Sequence, residues 1–167
     1  VDVDPILKVN GSLPGQYDYE TMLARAKKIG CEIITESLSE SSVYDLISSL
    51  DIYVSLHRAE GFGLTCAEAM SLGVLTVATG YSGNIDFMND ANSIIVKTHP
   101  YTLRSDVGPY PFGTEWRSPD VNDAFSRIVD AIDNRQKTVE TIQLGFNHTS
   151  SILSPSAISG TIKEILA

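Results

Sequence analysis

Short apolar runs alternate with amphipathic stretches along this chain, and that alternation constrains its fold more than any other feature. Ile6 to Val9 is a short apolar run closed by the turn signal Asn10-Gly11. Tyr19 to Ile29 places Met22, Leu23, Ala26 and Ile29 at helical spacing, and Gly30 ends it. Glu32 to Thr35 is a β-branched run, and a helix from Ser39 then carries Val43, Leu46, Ile47 and Leu50 on one face. Asp51 to Leu56 reads as a strand, Leu64 to Leu72 as a helix rich in Ala, Leu and Met that Gly73 closes, Val74 to Ala78 as a strand, and Ser93 to Val96 as the last short strand. Strands alternating with helices predict an α/β fold, an open and mostly parallel sheet with helices on both faces. His99 to Pro119 breaks the rhythm: with Pro100, Pro109, Pro111, Pro119 and several aromatics it reads as an ordered excursion rather than a linker. Asp120 then caps a helix to about Ile132, and the tail from Val139 to Ala167 is mostly helical, interrupted near Pro155.

A length of 167 residues suits one domain, and 43% hydrophobic residues exclude a disordered chain. The excess of 21 Asp+Glu over 12 Lys+Arg argues against a nucleic-acid or anionic-membrane binder, which needs clustered cations. No apolar run is long enough to span a membrane. Cys31 and Cys66, both in apolar segments, read as reduced core residues of a cytosolic protein, and in that compartment the glycosylation patterns Asn10-Gly-Ser12 and Asn147-His-Thr149 carry no meaning. The chain begins at Val1 without Met and reads as a fragment of a longer protein.

The stretch that carries chemistry is His57-Arg-Ala-Glu60-Gly-Phe-Gly-Leu-Thr-Cys-Ala-Glu68-Ala-Met. It follows a buried strand and opens a helix, so its loop lies at the carboxyl edge of the sheet, where ligands of open α/β sheets bind. A helix N-terminus presents free amides and partial positive charge, which suits a phosphate. Gly61 and Gly63 remove side chains where a ligand approaches the backbone, and Leu64 and Thr65 offer amides in the first turn. Glu68, one turn in and leaning back toward the N-terminus, can accept two hydrogen bonds from a vicinal diol; Glu60 stands at the mouth of the loop. The same features have a plainer reading, since glycine-rich turns are common and the helix dipole favours an early Glu.

The string from Glu60 to Met70 resembles the Glu-x7-Glu motif of the retaining, GT-B-fold group 1 glycosyltransferases. The segments Asp51 to Arg58 and Gly73 to Asn84, with Pro109-Tyr-Pro-Phe and Trp116-Arg-Ser-Pro-Asp, resemble a polysaccharide-building branch of that family. The resemblance covers roughly Ile6 to Ile132. It implies a Rossmann-like donor-binding domain spanning 1–167, holding a GDP-, UDP- or ADP-sugar as donor substrate without an obligate metal or other cofactor. Glu68 is then expected on the ribose hydroxyls, with the amides of Gly63, Leu64 and Thr65 on the diphosphate and sugar. Glu60 is the catalytic candidate, orienting the transferred sugar, and Phe62 shapes its pocket, with Gly61 also expected against the donor. The backbone near Ile34 and Thr35 meets the base, and Ser82 and Gly83 line the pocket from the next loop. His57 is either a hydrogen-bonded structural residue or a ligand contact, Arg58 a diphosphate partner or a rim ion pair, Lys8 a site lysine or an edge residue, and Trp116 a core or lid anchor. The implied reaction is sugar transfer to a glycan or lipid-linked acceptor with retention, in the cytoplasm or peripherally at the inner membrane face, with no nucleic-acid partner. A noncatalytic nucleotide-binding or interaction module on the same fold is the alternative.

Two departures from the family pattern are expected. No acceptor-binding N-terminal domain is present, and the count of five strands leaves out the family's first βα unit, with its diphosphate-gripping cations. The fragment alone is therefore expected to lack turnover and to bind donor weakly. A nicotinamide-binding Rossmann domain is disfavoured, because no Gly-x-Gly-x-x-Gly follows the first strand.

Overall fold

A computed structural model describes residues 3–9 and 17–166, and the chain divides into two compact units, Val1–Val43 and Tyr44–Ala167. The first holds β1 (Ile6–Lys8), α1 (Tyr17–Lys28) and β2 (Glu32–Ile34). β1 and β2 pair in parallel with Leu7 opposite Ile33, as a βαβ crossover requires. Gly30, at φ +74°, ends α1 in the left-handed conformation that glycine tolerates, and Arg25, Lys27 and Lys28 face the negative end of its dipole. The Asn10-Gly11 turn lies outside the described residues. Cys31 departs from expectation: it is half-buried just before β2, its thiol donating to the Glu32 carbonyl at 3.4 Å.

The second unit begins within α2 (Glu40–Ser48), whose N-terminus in the first unit is capped where the Ser39 hydroxyl accepts from the Ser42 amide at 3.2 Å. β3 (Ile52–Ser55), α3 (Leu64–Ser71), β4 (Leu75–Thr79) and β5 (Ile94–Val96) follow, and the three strands form a parallel sheet in the order β3-β4-β5. Every residue of the central strand β4 is buried, which explains its unbroken apolar and Thr character. Its alternate side chains feed two cores. Ala78 faces Cys66, Ala67 and Met70 of α3 together with Phe87 and Met88. Val77 faces Val96 and Ala124. Ala124 belongs to α4 (Val121–Asp133), where the Asp120 carboxylate accepts from the Asn122 and Asp123 amides as an N-cap. α5 (Arg135–Leu153) packs against α3, with Gly145 admitting the Asn92 carbonyl where a Cβ would lie at 2.7 Å. α6 (Pro155–Ile165) starts with Ser154 as cap and Pro155 in the first turn, the interruption expected from sequence.

The parallel α/β class and the five expected strands are thus present, and two further strands that were not expected come from the segment after β5. The proline-rich segment forms an antiparallel hairpin, β6 (Thr98–Thr102) and β7 (Glu115–Pro119), that joins neither parallel sheet. Pro100 and Pro119 fit because each strand of a two-stranded hairpin is an edge. Trp116 packs edge-on against Tyr110 at 5.1 Å and fixes the hairpin's end. Among the described residues, no helix is long and apolar enough to cross a membrane.

Cys66 gives this core a pH signature. Burial pushes its thiol from an ordinary value of 9.0 up to about 11; a hydrogen bond from Ser55 opposes the shift and the Glu60 charge adds to it. Between those values the unfolded chain releases a proton that the folded chain keeps, so stability falls as pH rises. The contribution is complete below about pH 9, and roughly 2 kcal/mol of it is gone by pH 10.5. Urea melts at pH 8 and pH 10.5 should show Cys66→Ala losing less stability over that interval by about this amount.

Candidate functional site

The β3–α3 loop turns on Gly63, which occupies the N-cap position of α3 at φ +91°, ψ 45° and brings no side-chain cap. An added Cβ would meet the Asn84 Cβ at 3.0 Å, so both conformation and space favour glycine. The first-turn amides of Leu64, Thr65 and Cys66 have no partner within the helix, and the dipole adds positive potential there. The Tyr53 hydroxyl reaches this turn from β3 and donates to the Thr65 hydroxyl at 2.8 Å. Burial raises the pKa of that phenol. The Thr65 contact lowers it, and electrostatic interaction with Cys66, Glu60 and Glu68 raises it further. Glu60 and Glu68 are each half-buried, and Glu60 Oε1 accepts from the Gly61 amide at 2.9 Å.

A second loop, after β4, closes on the first. Ser82 takes φ 82°, ψ −160°, a region that costs a side-chain-bearing residue about 1–3 kcal/mol. In that conformation its hydroxyl donates to the Glu60 carbonyl at 2.5 Å and accepts from the Glu60 amide at 3.1 Å. The Gly83 amide donates to the same carbonyl at 3.4 Å. Gly83 opens a short 3-10 turn (Gly83–Asp86), and a Cβ on it would lie 2.0 Å from the Gly61 carbonyl oxygen. The two loops thus meet backbone to backbone.

His57 ties the same loops together. Its Nε2 lies 3.1 Å from both the Tyr81 carbonyl and Asn84 Oδ1, and its Nδ1 lies 3.0 Å from the Ser55 hydroxyl. Asn84 donates through Nδ2 to the Thr79 carbonyl at 3.0 Å, which turns Oδ1 toward the ring. Both neighbours of Nε2 are acceptors, so Nε2 carries the hydrogen. Both ring nitrogens are engaged within the protein, which favours the structural reading of His57. Asn84, fully buried, and Tyr53 escaped the sequence reading as site residues.

Arg58 is exposed, with its guanidinium 4.8 Å from the Tyr101 ring centre, a cation–π contact in place of a rim ion pair. Arg117 lies 5.8 Å over Tyr81 in the same way, and its amide donates to the Arg58 carbonyl at 3.4 Å. Phe62 packs tilted on Phe87 at 5.1 Å and remains 38% exposed. A largely apolar cavity of about 330 Å³ runs along α3, lined by Phe62, Leu64, Glu68, Leu72 and Ile158 among others, with Glu68 its acidic member. His57, Arg58, Glu60, Gly61, Phe62, Gly63, Leu64, Thr65, Glu68, Ser82 and Gly83 all belong to the second unit; Ile34 ends β2 in the first unit, and Thr35 follows it. Lys8 lies in β1, half-buried, its ammonium on the Val9 carbonyl at 3.1 Å.

Residues 4–102 match the sequence profile of the family described as glycosyl transferases group 1. No curated protein sequence matches the chain significantly. Among solved structures, the chain is similar to Anabaena Alr3699/HepE in complex with UDP, with a TM-score of 0.71 and 19% identity over 98% of this chain and 40% of that one. The same protein in complex with UDP-glucose gives a TM-score of 0.68 at 19% identity and the same coverage. The C-terminal domain of a glycosyl transferase group 1 family protein (LpcC) from Francisella tularensis gives 0.65 at 17% identity, over 86% of this chain and 66% of that domain. This chain therefore spans about two-fifths of the length of the Anabaena protein.

Proposed function

This chain belongs to the group 1 glycosyl transferases, and we propose that it is the donor-binding domain of an enzyme that takes a sugar from a nucleotide-diphospho-sugar. The observation that carries the reading is the N-terminus of α3, which no side chain caps, with the half-buried motif acids Glu60 in the loop before it and Glu68 within the helix. In this reading the diphosphate sits on the amides of Gly63, Leu64 and Thr65, where dipole and free N–H groups favour an anion. Glu68 accepts the ribose diol. Glu60 accepts hydroxyls of the transferred sugar and sets the direction of its anomeric carbon, beside Phe62. As the glycosidic bond breaks, charge develops on the leaving diphosphate, and fixed amides stabilise it without reorganising. Arg58 and Arg117 stand on tyrosine rings of adjoining segments and add positive potential at the rim.

Transfer proceeds with retention, onto a glycan or lipid-linked acceptor held by a domain outside this chain, in a polysaccharide-building pathway. The fraction of the Anabaena protein that this chain spans supports a second domain, and that protein's complexes with UDP and UDP-glucose support a uridine donor. The reading is tested on the intact protein by thermal unfolding with UDP, GDP, ADP and NAD. At about 100 times Kd, the matching nucleoside diphosphate should stabilise it by about 2.7 kcal/mol, whereas NAD should leave it unchanged. Stabilisation by NAD alone, or by none of the four, would count against a donor site.

A further inference from the structure

We propose that Ser82 is a positioning residue for Glu60, one hydroxyl on a strained backbone that fixes the peptide carrying the acid; the inference rests on the donor-site reading above. The Ser82 hydroxyl closes on both polar backbone atoms of a single residue, the Glu60 carbonyl at 2.5 Å and the Glu60 amide at 3.1 Å. The Glu60 carboxylate is held by the Gly61 amide at 2.9 Å, so its direction follows the peptide that Ser82 clamps. Among the described residues Ser82 is the one non-glycine residue with positive φ. A glycine would hold that conformation without strain, and what serine adds is the hydroxyl. That hydroxyl is occupied by Glu60 and therefore acts through the acid rather than on the ligand. A strained conformation kept at a site by its surroundings is the pattern expected where geometry matters to function.

The test uses the intact protein with UDP-glucose, GDP-mannose and ADP-glucose, following nucleotide release with the best of the three as the sugar passes to water, the anomeric carbon exchanging its bond to the diphosphate for one to a water oxygen. Ser82→Gly removes hydroxyl and strain together, whereas Ser82→Ala removes the hydroxyl and keeps the strain. Both should lower kcat by about 10–100-fold with KM for the donor little changed, since small misplacements of a reacting group cost on that scale. Their melting temperatures should part, Ser82→Gly at or above the wild type and Ser82→Ala below it. A purely structural role would make activity follow stability. Wild-type kcat in Ser82→Gly, or a loss confined to Ser82→Ala in step with its melting temperature, would overturn the clamp. Glu60→Gln in the same assay separates the premises: slow release there with full activity in Ser82→Gly removes the clamp alone. Unimpaired release in Glu60→Gln, or no release from any donor by the wild type, removes the donor reading and the clamp with it.

Discussion

Gly83→Ala should lower stability by about 3 kcal/mol, at the upper end of what overpacking a close contact costs. The added Cβ would lie 2.0 Å from the Gly61 carbonyl oxygen, 2.7 Å from the Gly61 carbonyl carbon and 2.8 Å from the Phe62 Cα. All three are backbone atoms, so no side-chain rotation relieves the clash. For a chain of 167 residues, that corresponds to a fall in melting temperature of roughly 10 °C. Relief requires the two loops to part, which breaks the Gly83 and Ser82 bonds to Glu60 and should remove nucleotide release as well. Gly73→Ala is the control: at φ +73° with nothing within 4 Å of the added carbon, it carries only the left-handed conformational cost of about 1–2 kcal/mol. Equal losses from the two substitutions, read by thermal unfolding, would show that the loops yield more easily than their packing indicates.

Glu68→Ala should lower sugar transfer by the intact protein by roughly a hundredfold or more while leaving the fold intact. A hydrogen bond to a charged group contributes about 1.5–3 kcal/mol, and a ribose diol offers two. The loss corresponds to roughly a hundredfold or more in nucleotide affinity. Glu68 is half-buried on α3, outside the cluster that holds that helix to the sheet, so circular dichroism melts should move little. Transfer or phenotype unchanged by the substitution would favour a noncatalytic module on this fold.

Much of this was legible in the residues because the signals are local. β4 reads as a strand from its unbroken Leu75 to Thr79 run, and it lies centrally with every residue buried. The ends of α3 follow from Gly63 and Gly73, both in left-handed conformations. The motif's placement after a strand and before a helix was likewise visible, because spacing alone fixes it. What could not be read depends on contacts between distant segments. The hairpin of β6 and β7 was hidden by Pro100 and Pro119, which argue against a central strand and are harmless at an edge. Cys31 reads as a core residue by composition but is only half-buried in the fold. Nothing in the sequence near residue 82 signals that its hydroxyl closes on a residue 22 positions earlier, or that Asn84 would meet His57 across the same seam. Those contacts arise where the β3 and β4 loops converge, a product of parallel pairing rather than of either loop's composition.

The central claim is that a nucleoside diphosphate lies across the start of α3 between two acids. A structure of the intact protein with the stabilising nucleoside diphosphate tests it most directly. The account predicts ribose hydroxyls within about 3 Å of the Glu68 carboxylate and phosphate oxygens at a similar distance from the first-turn amides of α3. A nucleotide bound elsewhere, with Glu68 turned away from it, would contradict the account.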